Sequence, residues 1–505
     1  MAQRGARRQF VLLPVRGLRA TSPGVTRSAA SFLVSLTRHV GGMVRPIGGS
    51  PEVELRVVDS VSEDGPKLVE VSPEAGIALR TSRPDLRLVP LVYYRPAVAP
   101  RVLPRAVPQL APEEPAQSFS VDVFSGRDAT PQPGCSVVIF TDFRAGRGAQ
   151  GVTDAAGRVT FQLGSWVTRL DRVYVYPPGP GFWGALKTEV RTGAHARIEL
   201  EALDLGHQDV LRYFYGGTRQ DAGGGVKVGV IDTGIDGSHP DITVAGGENT
   251  VPGEDPDDHG PSGEEHGTHV AGIIAARGRS GQGVRGVAPG VTLCSYRVFA
   301  RGERDASNYA IIKAVDRAVA AGCDLLNISL SSGLPDAATR SAVEDARARG
   351  ALCVVAAGND RRGPVGFPAS HPLTVGVAAM GRLGLFPSGA VEAGDVAAPY
   401  GTDPLNFVAD FSNVGPEIDL IGPGVGVVST VPGGYAPMSG TSMACPAVTG
   451  AAAAVFSERP DLLSRARDQA RADALAQLLF EGALSLGFDL DFEGHGLPNT
   501  QRLAE

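Results

Sequence analysis

The chain has 505 residues, 43% of them hydrophobic and 20% charged, with a formal net charge of −7. That length exceeds one ordinary core and predicts two to four domains. No apolar run is long enough to cross a bilayer, and no basic stripe interleaved with aromatics points to nucleic acid. Cys135, Cys294, Cys323, Cys353 and Cys445 are scattered, odd in number and set in apolar stretches. They fit reduced core thiols better than a disulfide framework or a zinc site.

Residues 1–50 carry Arg4, Arg7, Arg8, Arg16, Arg19, Arg27, Arg38 and Arg45 and no acid. "RRQFVLLPVRGLRA" has the arginine pair of an export signal, but Arg16 and Arg19 interrupt the apolar stretch that export needs. A disordered basic tail is expected, with the cytoplasm favoured over secretion and the compartment otherwise undetermined. Residues 51–95 then read as a small α+β domain of order strand, strand, helix, strand, its helix capped by Ser72 and opened by Pro73. Residues 96–117 form a proline-rich linker that no regular element tolerates. From 118 to 203 short alternating strands follow, among them "CSVVIFTD", "GRVTFQLG" and "DRVYVYP", and predict a β-sandwich.

Beyond residue 206 the texture changes to buried strands alternating with helices. "VKVGVIDTGI", "CDLLNISL" and "ALCVVAAGND" are apolar runs, while "NYAIIKAVDRAVAAG" and "DAATRSAVEDARARG" have helical periodicity. The expected fold class is α/β, a parallel sheet flanked by helices, with ligands collecting at the carboxyl ends of its strands. Polar residues stand at those ends: Asp232, Ser329 and Ser331, Asn359 and Asp360. His266 and Ser442 each head an apolar helix rich in small residues. The arrangement fits a nucleophile, a base, an orienting acid and an oxyanion donor. His269 and His239 read as structural histidines, because no further ligand stands at a metal-binding spacing.

The blocks "VGVIDTGIDGSHPDI", "HGTHVAGIIAA", "LLNISLSS", "VVAAGND" and "SGTSMACPAVTG" resemble those of subtilisin-like serine proteases, in that family's order Asp, His, Ser. The resemblance covers residues 206–505 and implies serine endopeptidase activity on protein or peptide substrates, without a cofactor; calcium is left open. It assigns Ser442 as nucleophile, His266 as base, Asp232 as the residue holding the base, and Asn359 with the Ser442 backbone N–H as oxyanion donors. Ser329, Leu330 and Ser331 would line one wall of the first specificity pocket, with Gly358, Asp360 and Gly366 on the other. The family often has glycine where Ser331 stands, so looser pairing of the substrate strand is expected there. Asp360 would favour a basic residue at the pocket mouth. Cys445, close to the nucleophile, makes sensitivity to thiol reagents an expectation.

Two further resemblances concern the accessory segments. "GVTDAAGRVTF" is similar to transthyretin-like and carboxypeptidase-regulatory-like modules. The small α+β domain resembles the inhibitory propeptides of subtilisins, with "LRLVPLVYYRP" leading its end into the cleft. An intramolecular inhibitor, and a zymogen cut in the linker, are therefore expected. Arg101 and Arg105 are the candidate cut sites if Asp360 selects basic residues, and Tyr94 if the pocket is simply apolar. The alternative is a catalytically silent peptide-binding protein using the same cleft and the β-sandwich.

Overall fold

In the computed structural model, residues 7–44, 54–105, 116–193, 195–278 and 283–500 are described. Arg4, Arg45 and linker residues 106–115 lie outside them.

Residues 7–44 correct the expectation of a disordered tail. Arg8–Pro14 is an interior strand of a five-stranded antiparallel sheet, paired with Lys67–Val71 on one side and Leu86–Pro90 on the other. Arg27–Thr37 is a helix capped by Thr26, and its Leu33 and Leu36 share a core with Leu12, Val57 and Val69. Composition misled because the arginines sit at the edges of an apolar strand and find acids elsewhere. Arg19 reaches Asp64 at 3.1 Å and also pairs with Asp316, far along the chain. The second helix, Pro73–Ser82, is capped by Ser72 and opens on Pro73.

Residues 116–200 form two facing sheets around one core. A three-stranded sheet orders Arg158–Gly164, Ala116–Ser125 and Ala196–Leu200, and a four-stranded sheet orders Ala185–Arg191, Arg169–Tyr176, Ser136–Asp142 and Arg147–Val152. Phe119, Val121, Val137, Ile139, Phe161 and Val173 pack between them.

The remaining residues build an eight-stranded sheet. Gly246–Asn249, Thr292–Arg297, Lys227–Asp232, Leu325–Ile328, Leu352–Ala356 and Thr374–Arg382 run parallel in that order; Leu420–Pro423 joins the last in parallel, and Asn406–Val408 is antiparallel. Continuous burial along Leu325–Ile328 and Leu352–Ala356 is what a sheet covered on both faces requires. The most extensive helix packing joins His266–Ala275 with Thr441–Ser457 and Asn308–Ala320 with Ala337–Ala348, and Gln469–Glu481 packs on the last of these. Among the described residues no helix is long and apolar enough to cross a membrane.

The β-sandwich docks on this domain through the turn Val391–Asp395. Val391 N–H donates to Gly184 and Leu186 N–H to Gly389, at 3.1 and 2.7 Å. Glu392 is buried there with Oε2 unpartnered, and burial pushes its carboxyl up to about 8 and that of Asp395 to about 7. A folded-state value above the unfolded one means that this contribution to stability is complete below about pH 4 and is lost as pH rises through about 8. Glu392→Gln is accordingly expected to stabilise the protein at pH 9, by on the order of 3 kcal/mol, and to change little at pH 4. Thermal melts of parent and variant at the two values test this; an equal shift at both would refute it.

Candidate active site

Asp232 closes its strand and His266 opens its helix, which brings His266 Nδ1 to 2.7 Å from Asp232 Oδ1. A carboxylate can only accept, so Nδ1 carries the proton and Nε2 presents its lone pair. That Nε2 is buried and without a partner. Thr233 secures the pair, its N–H donating to Asp232 Oδ1 at 2.7 Å and its hydroxyl accepting from Gly267 N–H at 2.9 Å.

Ser442 is the second residue of the helix Thr441–Ser457, after Gly440 at φ +151°. A side chain at Gly440 would press on the carbonyl of Ala97 and the backbone of Val98 and Ala99, at 2.6 to 2.9 Å from its first carbon. Glycine is needed there because another stretch of backbone passes so close. Ser442 Oγ donates to the Ser329 carbonyl at 2.9 Å. Asn359 accepts from Thr441 N–H at 3.0 Å through Oδ1, and its Nδ2 is buried without a partner.

The passing backbone belongs to the linker. Tyr93–Pro96 forms an antiparallel strand between Ala306–Ser307 and Leu330–Ser331, with Arg95 opposite Ser331 and Pro96 opposite Leu330. Ala97 N–H donates to the Ser329 carbonyl at 3.1 Å, and the Ala97 carbonyl accepts from Ser442 N–H at 2.9 Å. Ala99 N–H donates to Ser439 at 2.8 Å. The peptide bond from Ala97 to Val98 therefore lies against Ser442, whereas Tyr94, Arg101 and Arg105 do not. Downstream the chain crosses onto the β-sandwich: Val102 N–H donates to the Tyr176 hydroxyl at 3.1 Å, Arg101 lies over the Tyr176 ring, and Arg105 N–H donates to Gly146 at 2.9 Å. Val98–Val102 form one wall of a cleft of about 230 Å³, which Tyr174 and Tyr176 of the β-sandwich and Glu392 and Asp395 also line.

Ser331 pairs with the strand fully, contrary to the looser contact expected of a non-glycine residue. Its hydroxyl stands between Gly358 and Gly366, where a methyl on Gly366 would collide with it and one on Gly358 would come to 3.1 Å. Gly358, at φ +104°, donates its N–H to Thr441 Oγ1 at 3.1 Å. Asp360 is held in place by Asn413, which accepts from its N–H at 2.6 Å and donates to its carboxylate at 2.9 Å. The same amide also donates to Ala357 and Pro364, so Asn413 ties this whole loop together. Sequence reasoning missed it; an asparagine in "DFSNVG" carries no local signal of such distant partners.

Three side chains near the site are structural. Cys445 is fully buried, its thiol donating to Asn327 Oδ1 at 3.3 Å and to the Val354 carbonyl at 3.2 Å, and burial pushes it up to about 12. A buried thiol with so little thiolate does not meet reagents, which corrects the expected sensitivity. His269 Nε2 lies between the carbonyls of Val427 and Ala436 at 3.1 and 3.0 Å, and burial lowers its pKa to about 3, so it stays neutral. His239 bonds Gly434 and Asp241 backbone at 3.0 and 3.2 Å.

A family model described as "Subtilase family" matches residues 223–496. Subtilisin NAT of Bacillus subtilis subsp. natto is 38% identical over 291 residues, which is 56% of this chain and 66% of that protein. Subtilisin of Bacillus pumilus is 38% identical over 291 residues, 56% of this chain and 92% of its own length. Subtilisin Savinase of Lederbergia lenta is 41% identical over 243 residues, 47% of this chain and 78% of the relative.

Proposed function

The chain belongs to the subtilase family of serine endopeptidases, and from that premise we propose that it hydrolyses peptide bonds through Ser442, His266 and Asp232 by way of an acyl-enzyme. The observation that carries this reading is the Ala97 carbonyl, seated on Ser442 N–H while the Asn359 amide stands by unpaired. Rotation about the Ser442 side-chain bond moves Oγ from the Ser329 carbonyl toward His266 Nε2, which takes the hydroxyl proton as Oγ attacks the carbonyl carbon. Asp232 holds the ring and stabilises the imidazolium. The oxygen that becomes negative is met by Ser442 N–H and Asn359 Nδ2. Imidazolium returns its proton to the leaving nitrogen, the C–N bond breaks, and water repeats the sequence on the ester.

The N-terminal domain acts in this reading as an intramolecular inhibitor whose exit strand is the first substrate. Its dock supports that role: Lys313 pairs with Asp59 at 2.7 Å, Arg87 donates to Ser341 at 3.0 Å, and Asn308 holds the Pro90 carbonyl at 3.2 Å. The first cut falls between Ala97 and Val98. Labelling by a fluorophosphonate probe, lost in Ser442→Ala, is the test that separates this enzyme from a silent peptide binder; no labelling of the parent would refute it.

Ser331 sets the size of the residue before the cut. With its hydroxyl filling the space beside Gly366, alanine is favoured over larger side chains. Ser331→Gly is expected to raise kcat/KM for leucine or phenylalanine at that position by about tenfold or more relative to alanine. Paired peptide substrates measure this, and an unchanged ratio would place the size limit elsewhere.

A further inference from the structure

Tyr94, three residues before Ala97, has no exposed surface, although it belongs to a strand laid into an otherwise open cleft. Its phenol donates to Asp336 Oδ2 at 2.6 Å. Asp336 caps the helix Ala337–Ala348, and its other oxygen is already used: it accepts from Ala338 N–H at 3.0 Å, Thr339 N–H at 2.9 Å and the Asn308 amide at 3.1 Å. Oδ2 has the tyrosine as its hydrogen-bond partner among the described residues. The Thr339 hydroxyl and the Asn308 carbonyl oxygen are also buried, and without a partner.

A slot that is apolar throughout would take phenylalanine at least as readily as tyrosine, since the larger gain comes from the ring without its polar atom. A slot floored by a buried carboxylate oxygen behaves in the opposite sense. Phenylalanine fills the volume but leaves that oxygen desolvated with nothing to accept from, whereas tyrosine supplies the missing donor. Three donors already fix the first oxygen, so the carboxylate cannot swing to meet a different side chain and its second oxygen is aimed before any ligand arrives.

We propose that Asp336 is a specificity-determining residue that reads a phenolic hydroxyl, so that the preferred substrates are extended peptides with tyrosine three residues before a small residue at the cut, as in the Tyr-Arg-Pro-Ala of this chain. The inference rests on the proteolytic reading of the cleft, and deepens it by naming a substrate class. Asp336 performs two tasks with one side chain: one oxygen orders the helix start and the other selects the ligand.

The test uses protein produced from the full chain, its active sites counted with a fluorophosphonate, and two internally quenched peptides copying residues 92–101, one with tyrosine and one with phenylalanine at the position of Tyr94. The expected kcat/KM favours tyrosine by about ten- to a hundredfold. Asp336→Ser keeps a helix cap and removes the second oxygen, and the preference is then expected to vanish or turn toward phenylalanine. Thermal melts establish that this variant is folded. Should it fail to fold, an O-methyltyrosine peptide on the parent takes its place, and cleavage of that peptide as fast as the tyrosine one would overturn the proposal. Equal cleavage of the tyrosine and phenylalanine peptides by the parent overturns the subsite alone. Labelling by the probe with neither peptide cut also refutes it, while absence of both labelling and cleavage overturns the proteolytic reading and the subsite with it.

Discussion

The Ser442→Ala chain is expected to keep the bond between Ala97 and Val98 intact, while the parent yields a new N-terminus at Val98. Mass spectrometry of the two proteins side by side reads this directly. The substitution deletes one buried oxygen and one hydrogen bond, to the Ser329 carbonyl, so the fold should lose only about 1 kcal/mol. Hydrolysis of added peptide is expected to fall by about a millionfold, the loss measured for the equivalent deletion in subtilisin. A parent N-terminus after Arg101 or Arg105 would make the seating of Ala97 a resting contact and not the alignment for cleavage. Identical processing in both proteins would remove Ser442 from the chemistry altogether.

Asn359→Ala is expected to lower kcat by about a hundred- to a thousandfold, with KM little changed, a magnitude known from subtilisin itself. The ground-state carbonyl of Ala97 has one donor, Ser442 N–H, and the Asn359 amide beside it has no acceptor. That donor becomes useful only when the oxygen gains charge. Alanine also deletes the acceptor for Thr441 N–H, so Asn359→Asp is the companion variant, keeping an acceptor and losing the donor. Steady-state kinetics on both decide the matter. A loss confined to KM would make Asn359 a contact of the bound substrate and not of the transition state.

The candidate site was legible because each of its polar side chains stands where chain geometry makes an unusual demand. A strand ending on Asp232, helices opening on His266 and Ser442, and small residues around the latter are visible as pattern breaks. Ser72 and Pro73 marked a helix start in the same local way. What stayed hidden depends on partners far along the chain. Residues 1–50 looked like a tail because an arginine count says nothing about Asp316, nearly three hundred residues away. Which bond lies against Ser442 was not legible because charge was weighed in the linker, whereas the register observed is one of backbone pairing with Leu330–Ser331. Asp336 was visible only as the first residue of a stretch with helical periodicity. Nothing local distinguishes a capping carboxylate with one oxygen to spare from one with both engaged.

If the bond between Ala97 and Val98 is cut as proposed, the passage of the linker onto the β-sandwich gives its two ends unequal fates. The acyl side ends the N-terminal domain, which is then a separate molecule held by docking contacts alone. The amine side stays covalently joined to the enzyme, pinned at Val102 by Tyr176 and at Arg105 by Gly146. A tethered group of this kind is present at an effective concentration in roughly the millimolar range, however dilute the protein. The severed amine therefore competes with water for the ester and with every incoming substrate for the far half of the groove. Resealing remains open as long as the acyl fragment stays docked. Under the proposed processing, commitment would come with departure of the N-terminal domain into bulk solvent, so the speed of activation would be governed by a dissociation rate, and dilution would oppose rebinding.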